Sequence, residues 1–295
     1  MRLLEGITGT QECLQRMTAA FEVAELFFGH GTDNAWDEAC WLLETMARRH
    51  ALPQLLLETP LPPPLLAAVD ELAARRIDTR KPLAYLLNEA WFCDGAFYVD
   101  ERVLVPRSPF AELIRNRFEP LLTKSPRRIL DLCTGGGCIG IACALAFPEA
   151  EVVLSDLSAD ALAVAKINID KYGVGGRVTL VQSDLFAALK GRFDLIVSNP
   201  PYVGAEEYAG LPQEYRLEPQ IGLLTGNDGL EIPLKILAQA VDYLSDDGLL
   251  LLETGASWPL LDEARSDLPL LWLDFDFGGE GICAIRASEL RAQAR

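Results

Sequence analysis

Four consecutive residues, Asn199-Pro200-Pro201-Tyr202, carry the most specific chemistry in the chain. An amide or aromatic amine nitrogen is a poor nucleophile because its lone pair is delocalised. A site overcomes this by fixing both N–H groups with two acceptors, so that the lone pair points at an incoming alkyl group. The Asn199 side-chain oxygen and the Pro200 backbone carbonyl form such a pair, and two successive prolines hold that carbonyl still by restricting φ. Tyr202 adds a ring that stacks on a planar substrate and faces a cationic donor. Catalysis is then orientation and electrostatics without an obligatory general base. The only two histidines, His30 and His50, fall far upstream. Asn-Pro also begins ordinary turns, so position matters. The tetrad follows an apolar strand at 193–198, and the carboxyl end of a central strand is where open α/β sheets bind ligands.

A second constellation precedes it. Asp131-Leu132-Cys133-Thr134-Gly135-Gly136-Gly137-Cys138-Ile139-Gly140 stands between an apolar strand at 128–132 and a helix running through Phe147. Gly135, Gly137 and Gly140 satisfy G-x-G-x-x-G, which lets backbone pass close to a cofactor and draws strand and helix together. Asp156, 21 residues after Gly135 and at the end of the next strand, is placed to accept from both ribose hydroxyls of an adenosine. The competing duty there is a helix N-cap, with Ser158 as the rival for it. Two cofactor classes use such a turn. A nicotinamide dinucleotide brings a pyrophosphate to the helix N-terminus; S-adenosylmethionine has none. Asp131 would repel a pyrophosphate but hold a methionine ammonium through charge-assisted hydrogen bonds, which favours the methyl donor. Asp184, after the third strand, stands either against an adenine amino group or as a helix cap.

These residues need elements to hold them. From about residue 110 strands and helices alternate, with strands at 128–132, 151–155, 177–182, 193–198 and 248–253. The connection between the last two, 270–275 and 281–286, is too short for a crossover helix, so that pair is antiparallel. The pattern predicts an α/β fold: a mostly parallel sheet with helices on both faces and an antiparallel end. Upstream the periodicity is helical. Asp33 is placed to cap a helix with Trp36, Cys40, Leu43 and Ala47 on one face, and another helix spans 65–76. Asp94-Gly95, flanked by aromatic runs, reads as a two-residue hairpin. The expected organisation is a helical substrate-recognition domain over 1–88, a hairpin linker over 89–109 and a catalytic domain over 110–295.

Composition narrows the partner. The 295 residues are 50% hydrophobic, enough for a large core, and carry 26 Lys+Arg against 43 Asp+Glu, a formal charge of −17. Such an acidic chain is ill suited to a phosphate backbone and suits a basic partner. No secretory segment and no membrane-length apolar run is visible, so the cytoplasm is expected. Cys133, Cys138 and Cys143 recur every five residues, which is not zinc spacing; reduced, buried thiols and no metal are expected.

The tetrad and the glycine turn together resemble the class I S-adenosylmethionine methyltransferases, whose sheet is seven-stranded and Rossmann-like. Asn199-Pro200-Pro201-Tyr202 is shared by members that methylate planar nitrogens of DNA adenine, ribosomal-RNA guanine or protein glutamine. The whole chain is most similar to the bacterial protein-(glutamine-N5) methyltransferases, which place a helical domain before the catalytic one. Leu104-Val105-Pro106-Arg107-Ser108-Pro109, Asp131-Leu132-Cys133-Thr134 and Leu211-Pro212-Gln213-Glu214-Tyr215-Arg216-Leu217-Glu218-Pro219 resemble the branch that modifies large-subunit ribosomal protein three. A release-factor branch, which typically has Gly in place of Cys133, is the alternative, and a nucleic-acid amino-methyltransferase a more distant one. The resemblance implies that Asp131, Cys133, Thr134, Gly135, Gly136, Gly137, Asp156, Asp184, Leu185 and Asn199 contact S-adenosylmethionine. It implies that Asn199 through Tyr202 hold the glutamine amide, and that Pro106 and Arg107 lie near the substrate mouth. The insertion at 203–229, with Tyr208, Glu214, Tyr215, Arg216 and Glu218, is either a protein-substrate contact or a self-packed loop. Gly136 departs from the family, which often has Ser or Thr there.

Overall fold

Two units make up the structure, a computed structural model that describes residues 3–52 and 54–293. The first contains the chain up to Ala90 together with Pro212–Leu217. Its helices are α1 (Thr10–Val23), α2 (Ala35–Arg49), α3 (Pro63–Thr79) and the short α4 (Leu83–Leu87). Proline at the first position of α3 costs no hydrogen bond there. Met17, Phe21, Leu42, Leu43, Leu65 and Val69 are wholly buried among these helices.

Two local expectations shift. The cap of α2 is Asn34, whose side chain accepts from the Asp37 amide at 2.9 Å, rather than Asp33. Of the expected face Leu43 and Ala47 are buried, but Trp36 is 40% exposed and Cys40 half-buried, and the buried surface extends instead over Ala35, Ala39, Leu42 and Met46. The reason is Glu38, also on the buried face. Its Oε1 receives Nε of the fully buried Arg76 at 2.7 Å, and a periodicity built on apolar residues cannot foresee an inward-facing acid. The same cluster takes in Glu214, whose Oε1 lies 2.7 Å from Arg80 Nη2 and 3.6 Å from Arg76 Nη1 and accepts the Phe27 amide at 3.0 Å.

The second unit runs from Trp91 to Leu211 and from Glu218 onward. A hairpin, β1 (Ala90–Phe92) and β2 (Gly95–Phe97), turns on Cys93 and Asp94, both left-handed at φ 47° and 65°. Positive φ at both central residues is the twist a type I′ turn demands, and it sits one residue earlier than Asp94-Gly95. After α5 (Phe110–Arg115) the chain alternates: β3 (Arg128–Leu132), α6 (Cys138–Ala146), β4 (Glu151–Asp156), α7 (Ala159–Tyr172), β5 (Val178–Gln182) and β6 (Phe193–Ser198). It continues with α8 (Ala205–Gly210), α9 (Glu231–Tyr243), β7 (Leu244–Glu253), α10 (Trp258–Ala264), β8 (Leu271–Trp272), β9 (Ile282–Arg286) and α11 (Ala287–Gln293).

The seven strands are ordered β5-β4-β3-β6-β7-β9-β8, parallel as far as β7 and antiparallel beyond it. Leu130, Ile196 and Leu250 face one core, Ile129, Leu195 and Leu251 the other, and all are buried. The chain leaves β3 toward β4 and β5, then returns to place β6 on the opposite side of β3. The carboxyl ends of β3 and β6 therefore flank the switch point, where a crevice must open. No helix among the described residues is long and apolar enough to cross a membrane.

Candidate active site

The glycine turn leaves β3 into that crevice. Cys133 and Gly135 are left-handed at φ 62° and 53°, and Gly137 caps α6 at φ 83°. The tightest point is Gly140, where an added Cβ would stand 2.1 Å from Leu154 and 2.8 Å from Asp131 Cβ. Asp131 braces this turn from behind. Its Oδ2 accepts the Thr134 hydroxyl at 2.5 Å and the Gly140 amide at 2.8 Å, and the residue is 1% exposed. Asn168, on α7 and fully buried, donates to the Gly136 carbonyl at 2.8 Å and joins the Tyr98 backbone in both directions. The backbone at Gly136 is thus held without a side chain of its own.

A cavity of about 350 Å³ opens over the turn. Cys133, Thr134, Gly135 and Gly136 line it, together with Asp156, Asp184, Leu185 and Asn199 through Tyr202. Asp131 and Gly137 are not among its lining residues. Asp156 ends β4 and accepts from the Gly135 amide at 2.8 Å and the Ser158 amide at 2.9 Å. The cap of α7 is Ser158, whose side chain accepts from the Ala161 amide. Asp184 is exposed in the cavity, and the nearby amide of Ala188 is taken by Ser183 Oγ at 2.9 Å. Leu185 is 8% exposed and left-handed at φ 46°. Left-handed backbone at a residue with a Cβ costs on the order of 1–2 kcal/mol, and Cys133 and Leu185, both so placed, line the cavity.

The tetrad leaves β6 beside the turn. Ser198 Oγ donates to the Leu132 carbonyl at 2.7 Å, tying the ends of β6 and β3 together. Beyond it the chain is clamped: the Val203 amide donates to Leu223 O and the Thr225 amide to Val203 O, each at 2.9 Å. The Tyr202 carbonyl accepts from Ser257 Oγ at 2.9 Å, and its ring lies where a Cβ on Gly255 would come within 2.6 Å. Its phenol donates to Glu253 Oε1 at 3.3 Å.

Burial dominates the electrostatics. It pushes the carboxyls of Asp131 and Glu253 up to about 7, against the hydrogen bonds that each accepts. Burial also raises Asp156, Cys133, Cys138 and the Tyr202 phenol. Of these groups Asp156, Cys133, Cys138 and Tyr202 line the cavity, while Asp131 braces the turn and Glu253 lies against the Tyr202 phenol.

The profile described as Methyltransferase small domain matches residues 115–211. The ribosomal protein uL3 glutamine methyltransferase of Francisella tularensis subsp. tularensis is 43% identical over 269 residues, covering 90% of this chain and 86% of its own. That of Burkholderia pseudomallei is 43% identical over 296 residues, covering 96% of both. The chain belongs to the uL3 glutamine methyltransferase family. Among solved structures, the hMettl16 catalytic domain in complex with the MAT2A 3′UTR hairpin 6 shares the fold, with a TM-score of 0.51 and 17% identity over 78% of this chain and 85% of that one.

Seen as a uL3 glutamine methyltransferase family member, the chain has site residues that local pattern did not announce. Glu253 is one; its signal was an acid ending the otherwise apolar run 249–252. Glu218 is another. It is 3% exposed, accepts the Val105 amide at 2.9 Å and takes both Nη atoms of Arg107, at 2.8 and 2.7 Å. Of the insertion residues marked for protein contact, Glu214 and Glu218 are thus engaged internally. Tyr215 packs against His30 and Phe27, with ring centroids 4.5 and 5.5 Å apart. Glu206, Glu207 and Arg216 remain exposed.

Proposed function

We propose that this chain methylates the side-chain amide nitrogen (N5) of a glutamine in ribosomal protein uL3, with S-adenosylmethionine as cofactor. The observation that carries the reading is the placement of Asn199-Pro200-Pro201-Tyr202 at the end of β6, in the same cavity as the glycine turn and Asp156.

The residues fit the cofactor. Asp156 would hold the ribose hydroxyls, Asp184 the adenine amino group and Leu185 the adenine ring, with the glycine turn at the methionine portion. Asp131, behind the turn, adds negative potential where a methionine ammonium would lie and keeps the turn in shape. When bound there, S-adenosylmethionine supplies an electrophilic methyl group. Asn199 Oδ1 and the Pro200 carbonyl accept the two amide hydrogens of the glutamine, which turns the nitrogen lone pair out of conjugation and toward the cofactor side of the cavity. The Tyr202 ring shields the amide from water and attracts the sulfonium. The acidic surface draws in a basic ribosomal protein, and the helical unit serves substrate recognition.

The test is mass spectrometry of purified uL3 and of a release factor, each incubated with the enzyme and isotope-labelled S-adenosylmethionine. A single methyl on one uL3 glutamine is expected; label only on the release factor would assign the chain a different substrate. Asn199→Ala should lower kcat by roughly 10²–10³, the cost of losing one placed hydrogen-bonding group at a reacting centre. Turnover close to wild type would overturn the amide-holding role.

A further inference from the structure

A glutamine amide seated on Asn199 and Pro200 keeps its own backbone only one side chain away. Each flanking residue carries that backbone on by roughly 3.3–3.6 Å. The substrate polypeptide must therefore cross the surface beside the tetrad on at least one side of the reacting residue. The first cavity already has to hold S-adenosylmethionine. A second cavity, of about 450 Å³, adjoins it, and Arg107 and Tyr202 line both. None of the residues proposed to hold the cofactor lines the second one.

Part of its wall is the connection between β8 and β9, which presents an aromatic ring to solvent. Phe277 lines the cavity and is 85% exposed. Single exposed apolar residues are ordinary, but the backbone of this one is held. Glu112, on α5, accepts the amides of Asp276 at 3.1 Å and Phe277 at 3.3 Å. Gly279, left-handed at φ 96°, lies so near Pro109 that an added Cβ would stand 2.3 Å from its Cγ. The Gly281 carbonyl accepts the Thr254 amide at 2.7 Å, next to the end of β7. A ring on a backbone fixed in this way costs little ordering entropy when a partner docks on it. Charge narrows the partner. Arg107 and Arg115 line the cavity, and each is taken by a carboxylate that does not, Glu218 at 2.7 Å and Asp94 at 2.9 Å. Glu112, Glu253 and Glu280 line it as well, and none of the three has an ion pair among the described residues. An aromatic rim over unneutralised negative charge complements a cationic polypeptide.

We propose that the second cavity, with Phe277 at its rim, docks the segment of uL3 that flanks the methylated glutamine. This rests on the reading of the first cavity as the glutamine site and of uL3 as the substrate. Tyr202, which lines both cavities, is then shared by the reacting amide and the docked chain. Phe277 touches the flanking segment and not the reacting atoms, so it sets which polypeptide binds and leaves the chemical step alone.

The experiment compares Phe277→Ala and Phe277→Tyr with wild type, using purified uL3. Phe277→Ala should weaken uL3 binding about tenfold, measured without S-adenosylmethionine, and raise KM for uL3 by a similar factor. Its kcat at saturating uL3, its Kd for S-adenosylmethionine and its melting temperature should match wild type, as expected when only uniform binding is lost. Phe277→Tyr keeps the ring and should stay within about threefold of wild type in KM. Phe277→p-benzoylphenylalanine, irradiated with uL3, should cross-link within about five residues of the methylated glutamine. Unchanged uL3 affinity and KM in Phe277→Ala, or cross-links only elsewhere on uL3, overturn the docking role. So does a rise in KM matched by losses of cofactor affinity and melting temperature, which marks a merely structural residue. A change in self-association with KM intact overturns it too, and assigns the face to a second copy of the chain. Methyl label found on a release factor and absent from uL3 overturns the underlying reading instead.

Discussion

The two units bury charge in opposite ways. In the helical unit Arg76 and Arg80 meet Glu38 and Glu214, so positive and negative charge are matched within a few ångströms. In the catalytic unit Asp131 and Glu253 are buried too, and among the described residues their hydrogen bonds come from uncharged donors, hydroxyls and a backbone amide. Matched charge is the signature of a joint, since removing one member strands the other. Unmatched negative charge around a cavity costs stability while the site is empty and lowers that cost when a cation arrives. The first arrangement serves the fold and the second the reaction.

The largest effect expected from breaking this contrast is in the joint. Arg76→Met should destabilise the helical unit by about 3–5 kcal/mol, because Glu38 is left buried without its partner. Glu38→Met together with Arg76→Met should recover most of that, as Glu214 keeps Arg80; urea denaturation measures both. A single variant as stable as wild type would mean that the cluster is no joint.

The unmatched acids predict the reverse. The carboxyl of Asp131 is raised from its ordinary value of 3.8 to about 7. The folded chain therefore keeps a proton that the unfolded chain loses across this window, and the stability contributed is present at low pH and drains away as pH climbs toward 7. One oxygen of Asp131 receives both hydrogen bonds, so an asparagine oxygen can take them over. Asp131→Asn should leave the urea midpoint near wild type below about pH 4 and raise stability at pH 8 by roughly 1–3 kcal/mol. It should also weaken cofactor binding. Equal midpoints at pH 8 would erase the distinction between the units.

Smaller effects sharpen the picture. If the −17 charge steers a basic substrate, initial rates at low uL3 concentration should drop roughly tenfold between low and high salt. A flat salt profile would reduce the charge to a solubility feature. Smallest of all, Cys133→Gly should change stability by less than about 1 kcal/mol, since relief of left-handed strain and the entropy cost of glycine nearly cancel. A large loss would show that the thiol, and not the backbone shape, matters at that position.

What the sequence disclosed follows from how far apart the interacting residues are. The turn at 133–137, Asp156 and the tetrad are each read from a strand and its immediate successor, and the switch point brings them into one cavity. The antiparallel end followed from a short connection. Glu38, Glu214, Glu218 and Glu253 were opaque for a shared reason. Each is a buried acid whose partner lies at least 38 residues away, and in a local window each reads as a solvated surface charge. The misplaced face of α2 is the same failure seen from the helix that carries Glu38.

The helical unit is built from two stretches of chain, the first ninety residues and Pro212–Leu217. It is therefore completed only after much of the second unit has been made. Until residue 214 has emerged from the ribosome, Arg80 lacks its carboxylate and His30 lacks the Tyr215 ring. By then β3 through β6 and the tetrad have already emerged. Synthesis thus couples completion of the helical unit to a chain in which the methylation loop is already present. Any exchange of that unit between relatives has to carry the six residues at 212–217 along with the N-terminus.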